Sequence, residues 1–135
     1  MGTAQEILIV YGALSITYGM VLGLPLTRVR MAGPTAPRHL VVAHLSALMQ
    51  GPVHLGVAFA LGLSTLTPWL ETGAALLLVA GSALFVAGAT VNWLQRVGDH
   101  FEARSPGWYL LAASGGPHLG GAVIVLAGAI AGAGS

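Results

Sequence analysis

The chain has no cysteine and no lysine, and it carries only four carboxylates. Without a thiol it has no disulfide scaffold, no thiolate zinc site, no iron–sulfur cluster and no cysteine nucleophile. Charged residues make up 7% of its 135 residues, whereas a soluble domain needs about a quarter to face water on every side. Five arginines and a net charge of +1 give no phosphate-neutralising patch, which excludes a nucleic-acid partner. What is abundant is apolar: 56% of the residues are hydrophobic and the mean hydropathy is +0.84. The composition predicts an all-α integral membrane protein.

The few charges divide the chain into spans. Glu6, the group Arg28, Arg30 and Arg38, then Glu71, then the group Arg96, Asp99, Glu102 and Arg104 leave apolar stretches of about 7–26, 39–67, 70–95 and 108–132. Each reaches the ~20 residues a helix needs to cross ~30 Å of hydrocarbon, so residues 1–135 read as one four-helix bundle. The first stretch lacks a basic flank and has Glu6 in its place. It is therefore expected to be a retained helix and not a cleaved signal. Two prolines and a Gly-Pro break the chain between the first two spans. All five arginines fall in loops 27–38 and 96–107, which predicts that both loops are cytoplasmic and both termini lie across the cell inner membrane. Trp69, Trp93, Trp108 and Tyr109 sit near span ends, as interfacial aromatics do.

Twenty glycines would weaken a soluble helical protein, at about 1 kcal/mol each. In lipid they let helix backbones approach closely. Gly19/Gly23, Gly116/Gly120 and Gly128/Gly132 are GxxxG pairs, and Ala43, Ala47 and Gly51 form a small-residue ridge. Most such residues serve packing inside a bundle, but so many ridges on four helices predict a homo-oligomer.

Function is sought among polar groups that hydrocarbon cannot solvate. These are His44, Gln50 and His54 in the second span, Asn92 and Gln95 in the third and His118 in the fourth. At 1.5 Å per residue, His44 and Asn92 lie roughly 7 Å and 6 Å in from the same side, and Gln50 and His118 share a greater depth. Packing explains Gln95 adequately, and it explains His54 and His118 as well as a site does. His44 differs, because neutral imidazole is the commonest metal and haem-iron ligand open to a chain without cysteine, and Ala47 and Leu48, one turn on, offer it no polar side chain.

The run Val42-Ala43-His44-Leu45-Ser46-Ala47-Leu48-Met49-Gln50-Gly51, continuing to Val57-Ala58-Phe59, resembles the second-helix signature of the styrene oxide isomerases. In those small four-helix membrane enzymes, Ala-His is followed after five residues by Asn-Gly; here Gln50 stands at the Asn position. In length and in Asn92-Trp93-Leu94-Gln95 the whole chain is more similar still to the hydroxylaminobenzene mutases of nitroaromatic degradation. The resemblance implies an isomerase that turns a small aromatic hydroxylamine into the ortho-aminophenol. It also implies a homotrimer and haem b, with His44 as the axial ligand of the iron and Gln50 facing the reacting oxygen. The helix-three residue of the isomerases has no motif match, so Asn92 is a catalytic candidate by depth alone. Arg38 and Arg96, near the interface, are candidates to pair with haem propionates; headgroup anchoring explains them equally well.

No carboxylate lies inside a span, which favours a Lewis acid over carboxylate catalysis. It also argues against a proton-coupled exporter of similar size. The other reading is a b-type electron-transfer protein, in which His44 and His118 would clamp the iron from two helices.

Overall fold

Helix ends fall where proline, glycine or a capping side chain forces them. The computed structural model describes residues 1–98 and 104–133. They form α1 (Thr3–Ala32), α2 (Arg38–Leu61), α3 (Pro68–Leu94) and α4 (Pro106–Ala133), with no strand among the described residues. All four are long and apolar enough to cross a membrane. The chain is an all-α, multi-pass membrane bundle of four helices.

Two boundaries differ from the expectation. α1 runs on past Arg28 and Arg30 to Ala32, because Pro25 is accommodated within it and only Gly33-Pro34 ends it. Arg30 donates to the Pro34 carbonyl at 2.9 Å, placing a cation at the negative end of the helix dipole. α2 stops at Leu61, six residues short of the apolar stretch. There the chain tightens, with Gly62, Leu63 and Ser64 each bonding back three residues, and Thr67 must leave helical geometry ahead of Pro68. The uncharged turn 62–67 folds over the end of α4: a Cβ at Gly128 would lie 2.6 Å from Leu66 Cδ1 and 2.7 Å from Ser64 Oγ. Its leucines cover a helix end and do not extend a span.

α3 ends in a Schellman turn, in which Arg96 N–H donates to Trp93 O and Val97 N–H to Asn92 O, both at 3.0 Å. Arg96 occupies the left-handed position at φ 54°, where glycine is the usual residue. α4 is capped by Ser105, whose hydroxyl accepts from Trp108 N–H at 3.1 Å. Asp99 and Glu102, counted in the third loop, lie outside the described residues.

α1 pairs with α2 and α3 with α4 as antiparallel hairpins; α3 also touches α1 and α2, whereas α1 and α4 do not meet among the described residues. The end of α1 and the start of α2 therefore lie at the same end of the bundle as the end of α3 and the start of α4, and the described arginines of both loops share it. The apolar core is split. Ala4, Leu8, Ala58, Leu61, Ala75 and Leu78 fill the end near the N-terminus, and Leu22, Leu40, Ala43 and Ala89 fill the arginine end. Between them lies a waist of glycines and buried polar groups, including Ser15, His54 and Ser82. Ser15 donates across it to Ala47 O at 2.8 Å. Tyr18 bonds to Thr90 Oγ1 at 3.0 Å, tying α1 to α3.

Candidate functional site

His44 lies half-buried on α2, facing α1. Its Nδ1 is 2.8 Å from the Gly19 carbonyl oxygen. A carbonyl only accepts, so Nδ1 carries the proton and Nε2 keeps its lone pair. The small residues beneath make this possible. A Cβ at Gly23 would stand 3.3 Å from His44 Cε1, and one at Gly19 would crowd Leu48 Cγ at 2.8 Å. No hydrogen bond reaches His44 Nε2 among the described residues. A metal-ligating histidine characteristically has this form, one nitrogen fixed on a carbonyl and the other presented.

The waist holds a second constellation. His54 is 2% exposed and Ser82 fully buried. His54 Nδ1 meets Gln50 O at 2.7 Å, so it too is the protonated nitrogen, and Nε2 accepts. Ser82 Oγ lies 3.2 Å from His54 Nε2 and 2.9 Å from His118 Nε2. The serine has one hydrogen, which goes to His54, so His118 donates from Nε2 to the serine oxygen. The two neutral imidazoles are thereby opposite tautomers. Gly81 permits the approach, since a Cβ there would lie 2.7 Å from His118 N. The Tyr11 ring packs on His54 at 4.9 Å between centroids, so the cluster takes a residue from each helix.

The remaining candidates are dispersed. Gln50 Oε1 is buried and has no partner, a state that costs about 1–3 kcal/mol unless a donor arrives. Asn92 is 3% exposed, and its Oδ1 accepts from Ser105 Oγ at 2.6 Å, bracing the start of α4. Arg38 and Arg96 do come together: with His39, Trp93 and Val29 they line a cavity of about 750 Å³ at the arginine end. At the same end Arg104 lies 5.8 Å from the Trp108 ring centroid, a cation–π contact suited to the headgroup region. His44, Gln50, Asn92 and His118, expected at related depths, are thus divided among separate hydrogen-bonding environments. His44 faces α1 and His118 faces α3, so within one chain the structure does not bring them together. The glycine ridges divide as well. Gly19 and Gly128 are used inside the chain, whereas Gly115 and Gly116 have nothing within 4 Å of a Cβ position.

No protein-family model, curated protein or solved structure matches the chain. Ser82 is the functional candidate that sequence reasoning missed. A lone serine in an apolar helix carries no spacing signal, and only its small neighbour Gly81 marks the place where α4 comes close.

Proposed function

We propose that the chain is a membrane isomerase of the hydroxylaminobenzene mutase kind, converting hydroxylaminobenzene to 2-aminophenol with haem b bound through His44. The observation that supports this reading is the fixed tautomer of His44, whose Nδ1–H is held by Gly19 O at 2.8 Å while Nε2 presents a lone pair. That donor set fits a residue that would hold haem iron through Nε2. Arg38 and Arg96, which line one cavity at the arginine end of the bundle, would hold the propionates. When bound, the ferric haem would supply a Lewis acid for the hydroxylamine oxygen.

The rearrangement is redox-neutral. The N–O bond breaks, a C–O bond forms at the ortho carbon, the ortho hydrogen leaves as a proton and the nitrogen takes one up. Gln50 Oε1, a buried acceptor without a partner, is suited to hold the substrate's N–H or O–H and so to orient the ring. Asn92 contributes through its amide NH2, because its carbonyl oxygen is engaged by Ser105. The apolar spans admit an aryl substrate from the bilayer and exclude water, which strengthens each polar contact. In this proposal the enzyme is a homotrimer of the cell inner membrane, with loops 27–38 and 96–107 in the cytoplasm. The exposed glycines 115 and 116 are its subunit contacts.

The test is an absorption spectrum and a conversion assay on detergent-purified protein. A Soret band and 2-aminophenol formation, both lost in His44→Ala, support the reading. Full activity without iron or Soret absorption sinks the haem assignment, and absence of conversion by haem-loaded protein sinks the isomerase.

A further inference from the structure

The His54–Ser82–His118 cluster has a property that neither packing nor the His44 site requires. We propose that these three residues form a proton relay across the bundle, passing a proton bound at His118 Nδ1 through the Ser82 hydroxyl to His54 Nε2.

Each hop follows from the tautomers. In the neutral cluster His118 Nε2–H donates to Ser82 Oγ at 2.9 Å, and Ser82 O–H donates to His54 Nε2 across 3.2 Å. When a proton binds His118 Nδ1, the Nε2 proton moves to the serine oxygen and the serine proton moves to His54. One N–H bond forms at His118 Nδ1 and one breaks at its Nε2; one O–H bond breaks and one forms at Ser82; one N–H bond forms at His54 Nε2. The cluster has gained one proton and one positive charge, and that charge now sits on His54. His118 is neutral again, with its tautomer reversed.

At His54 the charge has fixed partners. Its Nδ1–H already donates to Gln50 O at 2.7 Å, and the Tyr11 ring lies 4.9 Å away, within the range of cation–π attraction. The groups facing His54 are Tyr11 from α1, Ser82 from α3 and His118 beyond it on α4; no carboxylate, arginine or lysine bonds to the cluster among the described residues. The nearest charge change is therefore the relay's own. Tyr11 also lines a cavity of about 230 Å³ between α1 and α3, with Tyr18, Ala83 and Val86. A proton taken up at His118 thus raises a positive charge beside Tyr11, which forms part of the wall of that cavity. The bundle acquires a switchable cation in its waist without any carboxylate there, and this inference stands whether or not His44 binds haem.

The test is nitrogen-15 NMR of histidine-labelled protein in lipid nanodiscs, with imidazoles assigned through bonds and not by substitution. Near pH 8 the expected spectrum shows His54 as the Nδ1–H tautomer and His118 as Nε2–H. On acidification His54 becomes the imidazolium in the same step in which His118 switches to Nδ1–H. In Ser82→Ala the His54 imidazolium signal disappears from that step and the charge stays on His118. Matching tautomers near pH 8, a charge resident on His118 in the wild type, no uptake down to pH 4, or a Ser82→Ala protein that titrates like the wild type each overturns the relay.

Discussion

His44 and His54 lie ten residues apart on one helix, and both donate Nδ1–H to a backbone carbonyl. They differ in everything else. His44 takes its carbonyl from the neighbouring helix α1, is half-buried and leaves Nε2 without a partner. His54 takes the carbonyl of its own preceding turn, is 2% exposed and has Nε2 engaged by Ser82. The free nitrogen of His44 is the one the proposed function uses, whereas both nitrogens of His54 are already engaged within the chain.

Exchanging the two losses is the sharpest way to break that comparison. His44→Ala is expected to abolish haem absorption and isomerase activity together and to cost the haem-free protein only about 0.5–1.5 kcal/mol, the net worth of its hydrogen bond to Gly19 O. His54→Ala is expected to keep the haem and to lower stability by about 1–3 kcal/mol, because Ser82 then lacks one partner in the core. Loss of pigment in both, or in neither, would erase the distinction. A second experiment uses the glycines. Gly19→Leu collides with Leu48 inside hairpin one and is expected to destabilise the monomer by about 1–3 kcal/mol or more, visible as early unfolding in SDS titration. Gly116→Leu, with open space around it, is expected to leave monomer stability intact and to shift only the oligomer distribution measured by light scattering.

The helices were legible because a chain with so few charges must place them between spans. Their ends were less so. Residues 62–67 carry no charge and so read as part of the second span, and nothing in their order says that they cap α4. At the site, His44 was legible from its residue type and from the lack of a polar neighbour along its own helix; its real partner, Gly19 O, is a backbone atom that no side-chain pattern reveals. Depth counting paired Gln50 with His118, but His118 connects through Ser82 to His54, one turn further on. Counting from helix entry assumes that helices start at one height, and α4 begins at Pro106, two residues before the expected start.

Two smaller effects refine the contrast. Gln50→Ala is expected to keep haem and fold while slowing turnover about tenfold, a loss of about 1.4 kcal/mol in the transition state, measured by steady-state kinetics on haem-matched samples. Arg96→Gly relieves a left-handed backbone that costs an L-residue about 1–2 kcal/mol. A gain in stability of up to that size is expected at the end of α3, read as a raised unfolding midpoint, with weaker haem retention if the Arg96 side chain holds a propionate.

The pairing of helices also has a consequence for how the protein is made. Each hairpin closes on its own glycine contacts, and α1 never reaches α4 among the described residues. The first hairpin can therefore zip shut in the bilayer while α3 and α4 are still being synthesised, with no need to wait for the end of the chain. What the second hairpin brings is the serine and histidine that His54 lacks until then, so the completed Ser82 bridge is a late event of biogenesis and a marker of a fully assembled bundle.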